Sequence, residues 1–204
     1  ARGGKTSMKI AWVTRSFLDY RIPVFRELDR QCEGNLHLVF SGDYVPERVT
    51  NKAVSILGDR AIPLSGEWKI GSEDRNHLAN RNFSLRLQPG LIRRIRSIQP
   101  DVLVCDGFFK WTFPSLFYRV FTGTPLVILY ERTAHVERNA QKVRLWYRKG
   151  VLRFTDAMGC NGFAANTPYP WAWLPEGLPK GTWSPMWKGL RQRRKTCRRN
   201  RFSA

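Results

Sequence analysis

Short solid apolar runs recur along this chain, and most are followed by segments whose apolar residues fall three or four apart. Lys9 to Thr14 (KIAWVT) is the first run and reads as a buried strand, because a strand covered on both faces need not alternate. Pro23 then suits the first turn of a helix that carries Phe25, Leu28 and Cys32 on one face. Leu36 to Phe40 (LHLVF) is the next strand, closed by a Gly/Asp turn. Residues 42–88 scatter Gly, Pro, Asn and charges among short apolar pairs, and the expectation there is irregular strands and loops.

Pattern returns at Pro89. Leu91, Ile92, Ile95 and Ile98 stand at helical spacing with Arg93, Arg94 and Arg96 between them, and Pro100 ends the segment. Val102 to Cys105 follows as a strand ending in Asp106-Gly107. Phe113 to Phe121 reads as helical and Leu126 to Tyr130 (LVILY) as a strand. Ala140 to Phe154 is helical again, with Val143, Tyr147, Val151 and Phe154 facing inward and Lys142, Arg144, Arg148, Lys149 and Arg153 off that stripe. Ala157 to Cys160 is a last short strand. Solid apolar strands alternating with helices imply an α/β fold, a Rossmann-like doubly wound parallel sheet, over residues 8–162. Residues 1–7 (ARGGKTS) lack periodicity and read as a disordered extension or an upstream scar.

From about Phe163 the text changes. Residues 163–204 hold Trp171, Trp173, Trp183 and Trp187, five of the twelve Pro, and no Val, Ile, Asp or His. No helix or strand period fits, so an irregular, unstructured tail is expected. A disordered basic extension or a nucleic-acid tail would carry few Trp. A tail translated out of frame explains the composition better. Shifting the frame permits Cys-Arg-Glu-Tyr-Thr-Leu-Ser-Leu-Gly across Ala164 to Ala172, and an amphipathic helix in place of the Arg-rich end.

The tail also changes how the charge is read. The formal net charge is +19, but residues 161–204 carry nine Lys/Arg against Glu176 alone and so contribute +8 of it. At 204 residues the chain suits one full domain and is short for two. Cys32, Cys105, Cys160 and Cys197 are far apart, with no CxxC pair, which points to a reducing cytoplasm and to no metal site. The longest uncharged apolar run, Val120 to Tyr130, contains Gly123 and Pro125 and falls short of the roughly 18 residues of a spanning helix. Any membrane contact is expected to be peripheral, at the inner face.

Four segments carry a family resemblance: MKIAWVTRSFLDYRIPVFREL, DVLVCDG, PLVILYERTAHVER and DAMGCNG. In their order the chain resembles the N-terminal domain of family-4-type glycosyltransferases of the GT-B fold, over about three quarters of its length. The out-of-frame peptide looks like that family's next segment. The resemblance implies an acceptor-binding domain that faces a second, nucleotide-sugar-binding domain across a cleft. It implies transfer of a glycosyl group to an acceptor hydroxyl, a sugar or lipid-linked acceptor as partner, and a donor engaged only with the companion domain. The expectation is therefore that this chain is inactive alone. No cofactor is implied, and the absence of GxGxxG after the first strand speaks against a dinucleotide.

In doubly wound sheets ligands meet the loops after the strands. Those loops are Arg15 to Arg21, Asp106 to Lys110 and Glu131 to Arg138. Asp19, Tyr20 and Arg21 suit an acceptor sugar or its phosphate, since Arg matches phosphate bidentately, or else they cap the helix ahead of Pro23. Asp106 is a candidate base that orients an acceptor hydroxyl, or else it caps its loop. His135, among charged neighbours unlike those of a core histidine, is the other candidate for proton transfer. Glu131, Arg132 and Arg138 join the acceptor set, with a solvated ion-pair network as the plainer alternative.

The aromatic segment Phe108, Phe109, Trp111, Phe113, Phe117, Tyr118 and Phe121 is expected in the core. With the basic faces around Arg93 and Arg144 it could also rest on an anionic membrane. The rival to a glycosyltransferase is a basic nucleic-acid-binding module using the Trp/Arg tail, although no specific nucleic acid is expected.

Overall fold

Nothing polar interrupts Ile10–Val13, and in the computed structural model all four residues are buried in the strand β1. The structure describes residues 7–70, 85–108, 111–130, 142–160 and 180–182. The described residues fall into two compact units that divide between Val127 and Ile128.

In the first unit, β1 leads to helix α1 (Ile22–Gln31), with Pro23 in its first turn and Ile22, Phe25 and Leu28 buried. Strand β2 (Leu36–Ser41) pairs parallel with β1, Ile10 opposite Leu36 and Val13 opposite Val39. Helix α2 (Glu47–Leu57) and strand β3 (Ala61–Leu64) follow, and β3 pairs parallel with β2. An antiparallel hairpin, β4 (Trp68–Ile70) with β5 (Leu85–Leu87), precedes helix α3 (Leu91–Ile98). Strand β6 (Val102–Asp106) returns to the other side of β1 in parallel, Val13 opposite Cys105. Helix α4 (Thr112–Thr122) leads to β7 (Leu126–Leu129). The order β3-β2-β1-β6-β7, with the hairpin outside it, is that of a Rossmann-like α/β sheet. The chain leaves β1 toward β2 and later returns to place β6 on the opposite side, so the order reverses between β1 and β6.

Aromatic packing fixes the first loop to this sheet. Trp12 meets Phe25 edge-on at 5.1 Å, and Phe17, just beyond β1, meets Phe25 and Phe40 edge-on at 5.2 Å each. Such pairs contribute roughly 0.5–1.5 kcal/mol each beyond their buried area. Phe17 thus anchors the loop after β1 from below.

The second unit holds helix α5 (Lys142–Leu152), strand β8 (Ala157–Cys160) and strand β9 (Lys180–Thr182). β8 and β9 pair in parallel, Met158 opposite Lys180, and the Tyr130 N–H donates to the Gly159 carbonyl at 2.8 Å. β9 is the described part of the tail, in a stretch whose sequence has no strand period.

Three expectations need correction. Residues 42–88 are not merely irregular, because they contain α2, an 11-residue helix. Its buried stripe is Val49, Ala53 and Leu57, with a small alanine at its centre and the apolar Val54 and Ile56 off it, so the period is blurred. The aromatic segment does not lie in the core as a whole: Trp111 and Tyr118 are buried, but Phe113, Phe117 and Phe121 are exposed. In α5, Val151 is buried as expected and Arg148 takes an inward place, its guanidinium 5.5 Å from the Tyr130 ring, whereas Phe154, expected to face inward, lies in the turn beyond the helix end and is 48% exposed. The long stem of arginine lets it occupy such a position while its charge finds an aromatic face.

Candidate functional site

The parallel register sets the site. With Val13 beside Cys105, the residues just beyond the carboxyl ends of β1 and β6 emerge next to each other. A one-turn 3-10 helix, Asp19–Arg21, then brings Arg21 back over β6. Arg21 Nη1 donates to both oxygens of Asp106, at 2.9 and 2.8 Å. The two side chains are only 9% and 11% exposed. Burial pushes the Asp106 carboxyl above the ordinary range, while the Arg21 charge and its hydrogen bonds pull it back. Two candidates separated by 85 positions in sequence therefore form one buried ion pair at the point where the strand order reverses.

A second cluster braces the neighbouring loops. Glu67, whose side chain is 2% exposed, accepts two hydrogen bonds from Arg15 Nε at 3.0 and 3.1 Å and one from Nη2 at 3.0 Å. Trp111 Nε1 donates to the same carboxylate at 2.8 Å. The Arg15 guanidinium lies 3.7 Å from the centre of the Tyr44 ring. Asp43 Oδ2 accepts from the backbone N–H groups of Gly66 and Glu67 at 2.9 and 3.4 Å. Arg15, Asp43, Glu67 and Trp111 come from the loops after β1, β2, β3 and β6, so four loops at the carboxyl edge are tied into one frame. None of these four was singled out as a site residue from sequence. Glu67 lies in the weakly patterned stretch, and nothing local marks it as the partner of Arg15.

The remaining candidates divide. Asp19 is drawn to α2, where it pairs with Arg48 and with Lys52 at 3.3 Å. Tyr20 is 64% exposed at the rim. His135, Glu131, Arg132 and Arg138 lie outside the described residues, as do Phe109 and Lys110. No group of three or more His, Cys, Asp or Glu among the described residues is placed to hold a metal ion. Among those residues, too, no helix is long and apolar enough to cross a membrane.

Among known protein families none matches this chain, and no curated protein does either. Two solved structures align with part of it. A Listeria monocytogenes protein assigned as a UDP-N-acetylglucosamine 2-epimerase aligns over 78% of this chain and 40% of its own, at 11% identity and a TM-score of 0.45. Another UDP-N-acetylglucosamine 2-epimerase aligns over 78% of this chain and 43% of its own, at 12% identity and a TM-score of 0.40. The chain thus spans about two fifths of the length of the solved structures it matches.

Proposed function

We propose that this chain is the acceptor-binding domain of a sugar-transferring enzyme, in which an acceptor sugar or its phosphate sits outside the carboxyl ends of β1 and β6. The observation that carries this reading is the buried Arg21–Asp106 pair at the reversal of strand order, where open α/β sheets bind ligands. Such a pair costs desolvation, and a rigid, charged floor under a cleft is a reason to retain it. Asp106 orients the acceptor hydroxyl, and desolvation, by raising its proton affinity, makes it a better base than a solvated carboxylate. Arg21 holds that carboxylate in place. Tyr20, exposed at the rim, offers a ring face to the sugar. His135 is our second candidate for proton transfer, with Glu131, Arg132 and Arg138 as further acceptor contacts. Transfer itself requires a nucleotide-sugar donor held by a companion domain.

The experiment is calorimetric titration with a hexose 1-phosphate. The parent chain is expected to bind, and Tyr20→Ala to weaken binding by up to about ten-fold. Because Tyr20 is exposed, that variant keeps its fold. A parent that does not bind, or a variant that binds equally well, overturns the reading. Salt-sensitive binding of a single-stranded oligonucleotide in place of the sugar phosphate would favour the nucleic-acid alternative.

A further inference from the structure

Helix α4 is built inside out. Phe113, Phe117, Val120 and Phe121 stand one helical stripe apart, and all four face solvent, exposed by 56, 50, 52 and 71%. The opposite stripe, Thr112, Ser115 and Tyr118, is buried and largely polar. Its hydroxyls are satisfied locally, Thr112 donating to the Gly107 carbonyl at 2.8 Å and Ser115 to the Trp111 carbonyl at 3.1 Å. A helix that serves only the core of its domain shows the reverse pattern. The exposed stripe is therefore a surface in its own right.

Its neighbour supplies charge. Helix α3 packs against α4, buries Leu91, Ile95 and Ile98, and presents Arg93, Arg94 and Arg96 to solvent beside a 41%-exposed Ile92. Between the two helices runs a groove of about 410 Å³, walled by Ile92, Arg96, Phe117 and Phe121. The rings of Phe117 and Phe121 lie 4.4 Å apart. Neither helix contains an acidic residue.

We propose that this α3/α4 face rests on an anionic lipid bilayer, with the α4 phenylalanines at the acyl boundary and the α3 arginines among the headgroup phosphates. Exposed aromatics flanked by arginines, without a carboxylate, are the composition of an interfacial surface. Charge decides against a second copy of the chain, because self-pairing would set one arginine cluster against another. The proposal does not depend on the sugar site, which can fail without affecting it.

The test is sedimentation with phosphatidylcholine vesicles containing or lacking phosphatidylglycerol, using the full chain. Binding is expected only to the anionic vesicles, and added salt should weaken it. A cation near such a surface is worth roughly five-fold in affinity. Replacing Arg93, Arg94 and Arg96 by Gln should therefore reduce binding by roughly a hundred-fold. F117S/F121S removes exposed rings, should leave the circular dichroism unchanged, and should abolish binding as well. No binding by the parent overturns the proposal. Binding retained by F117S/F121S assigns adsorption to charge elsewhere on the chain and also overturns it. So does a parent that is dimeric where F117S/F121S is monomeric, since the face would then be covered by a second copy.

Discussion

Arg21→Met leaves Asp106 as a carboxylate only 11% exposed without its cation, and Asp106→Asn leaves Arg21, only 9% exposed, facing a neutral amide. Removing one partner of a buried pair typically costs about 3–5 kcal/mol, because the stranded charge keeps its desolvation penalty. Replacing both, as Arg21→Met with Asp106→Leu, removes both charges together and is expected to cost less than the two single changes summed. The coupling should be at least about 2 kcal/mol, toward the upper end for contacting residues. Urea unfolding followed by circular dichroism measures this. With slopes of roughly 1–3 kcal/mol per molar, each single variant should lower the midpoint by at least about 1 M at an unchanged slope.

A pH series adds a signed check. Burial already raises the Asp106 pKa against the pull of Arg21, and without Arg21 it rises further. A carboxyl raised in the folded state contributes stability below its unfolded value and loses it as pH rises through the folded value. Arg21→Met should therefore be least destabilised in mild acid and most destabilised in mild base. Single variants that lose less than about 1 kcal/mol, or a double variant that is simply additive, would refute the view of this pair as a buried, mutually dependent unit.

Three further outcomes follow. Glu67→Gln keeps the shape but weakens the charged acceptor of Arg15 and Trp111, and should cost about 2 kcal/mol in the same unfolding assay; a loss within about 0.5 kcal/mol would make the loop frame energetically idle. The pKa of half-buried His37 is lowered by burial first and then by Lys9 and Arg60, with Asp29 opposing. Its contribution is present above the unfolded value of about 6.5 and is lost as pH falls through the folded value. His37→Gln should therefore flatten the stability profile just below pH ~6.5, and superimposable profiles would contradict that. Cys105 is fully buried beside Asp106, and burial pushes its thiol up to about 12, so iodoacetamide and peptide mapping should find it unlabelled in the native chain and labelled in urea. Labelling of Cys105 under native conditions would mean that β6 opens.

The elements that read clearly from sequence are those whose signal is local. β1, β6 and β7 are nearly solid apolar runs and β2 is interrupted only by His37 before its end, while α1 and α3 each bury a stripe of three large or medium side chains, Ile22, Phe25 and Leu28 in one and Leu91, Ile95 and Ile98 in the other. α2 buries as many, Val49, Ala53 and Leu57, but one of them is a small alanine and the helix lies in a stretch where Gly, Pro and charges are scattered among short apolar pairs. α4 was legible as a helix, but its orientation was not: periodicity reports that a stripe exists, not which side meets the sheet. At the site the rule that loops follow strand ends led to Asp19, Tyr20, Arg21 and Asp106. It could not say that Arg21 and Asp106 pair, since that contact depends on the return of β6 beside β1. Glu67 was missed for a related reason, because its partners Arg15 and Trp111 come from other loops.

The most direct test of a sugar-acceptor cleft over β1 and β6 is residue-resolved. Amide resonances of the chain, followed by two-dimensional nitrogen–proton NMR during titration with a hexose 1-phosphate, should move at Thr14 to Arg21 and at Asp106 to Gly107, and stay still along α3. Shifts confined to other segments, or none at saturating ligand, would contradict the account.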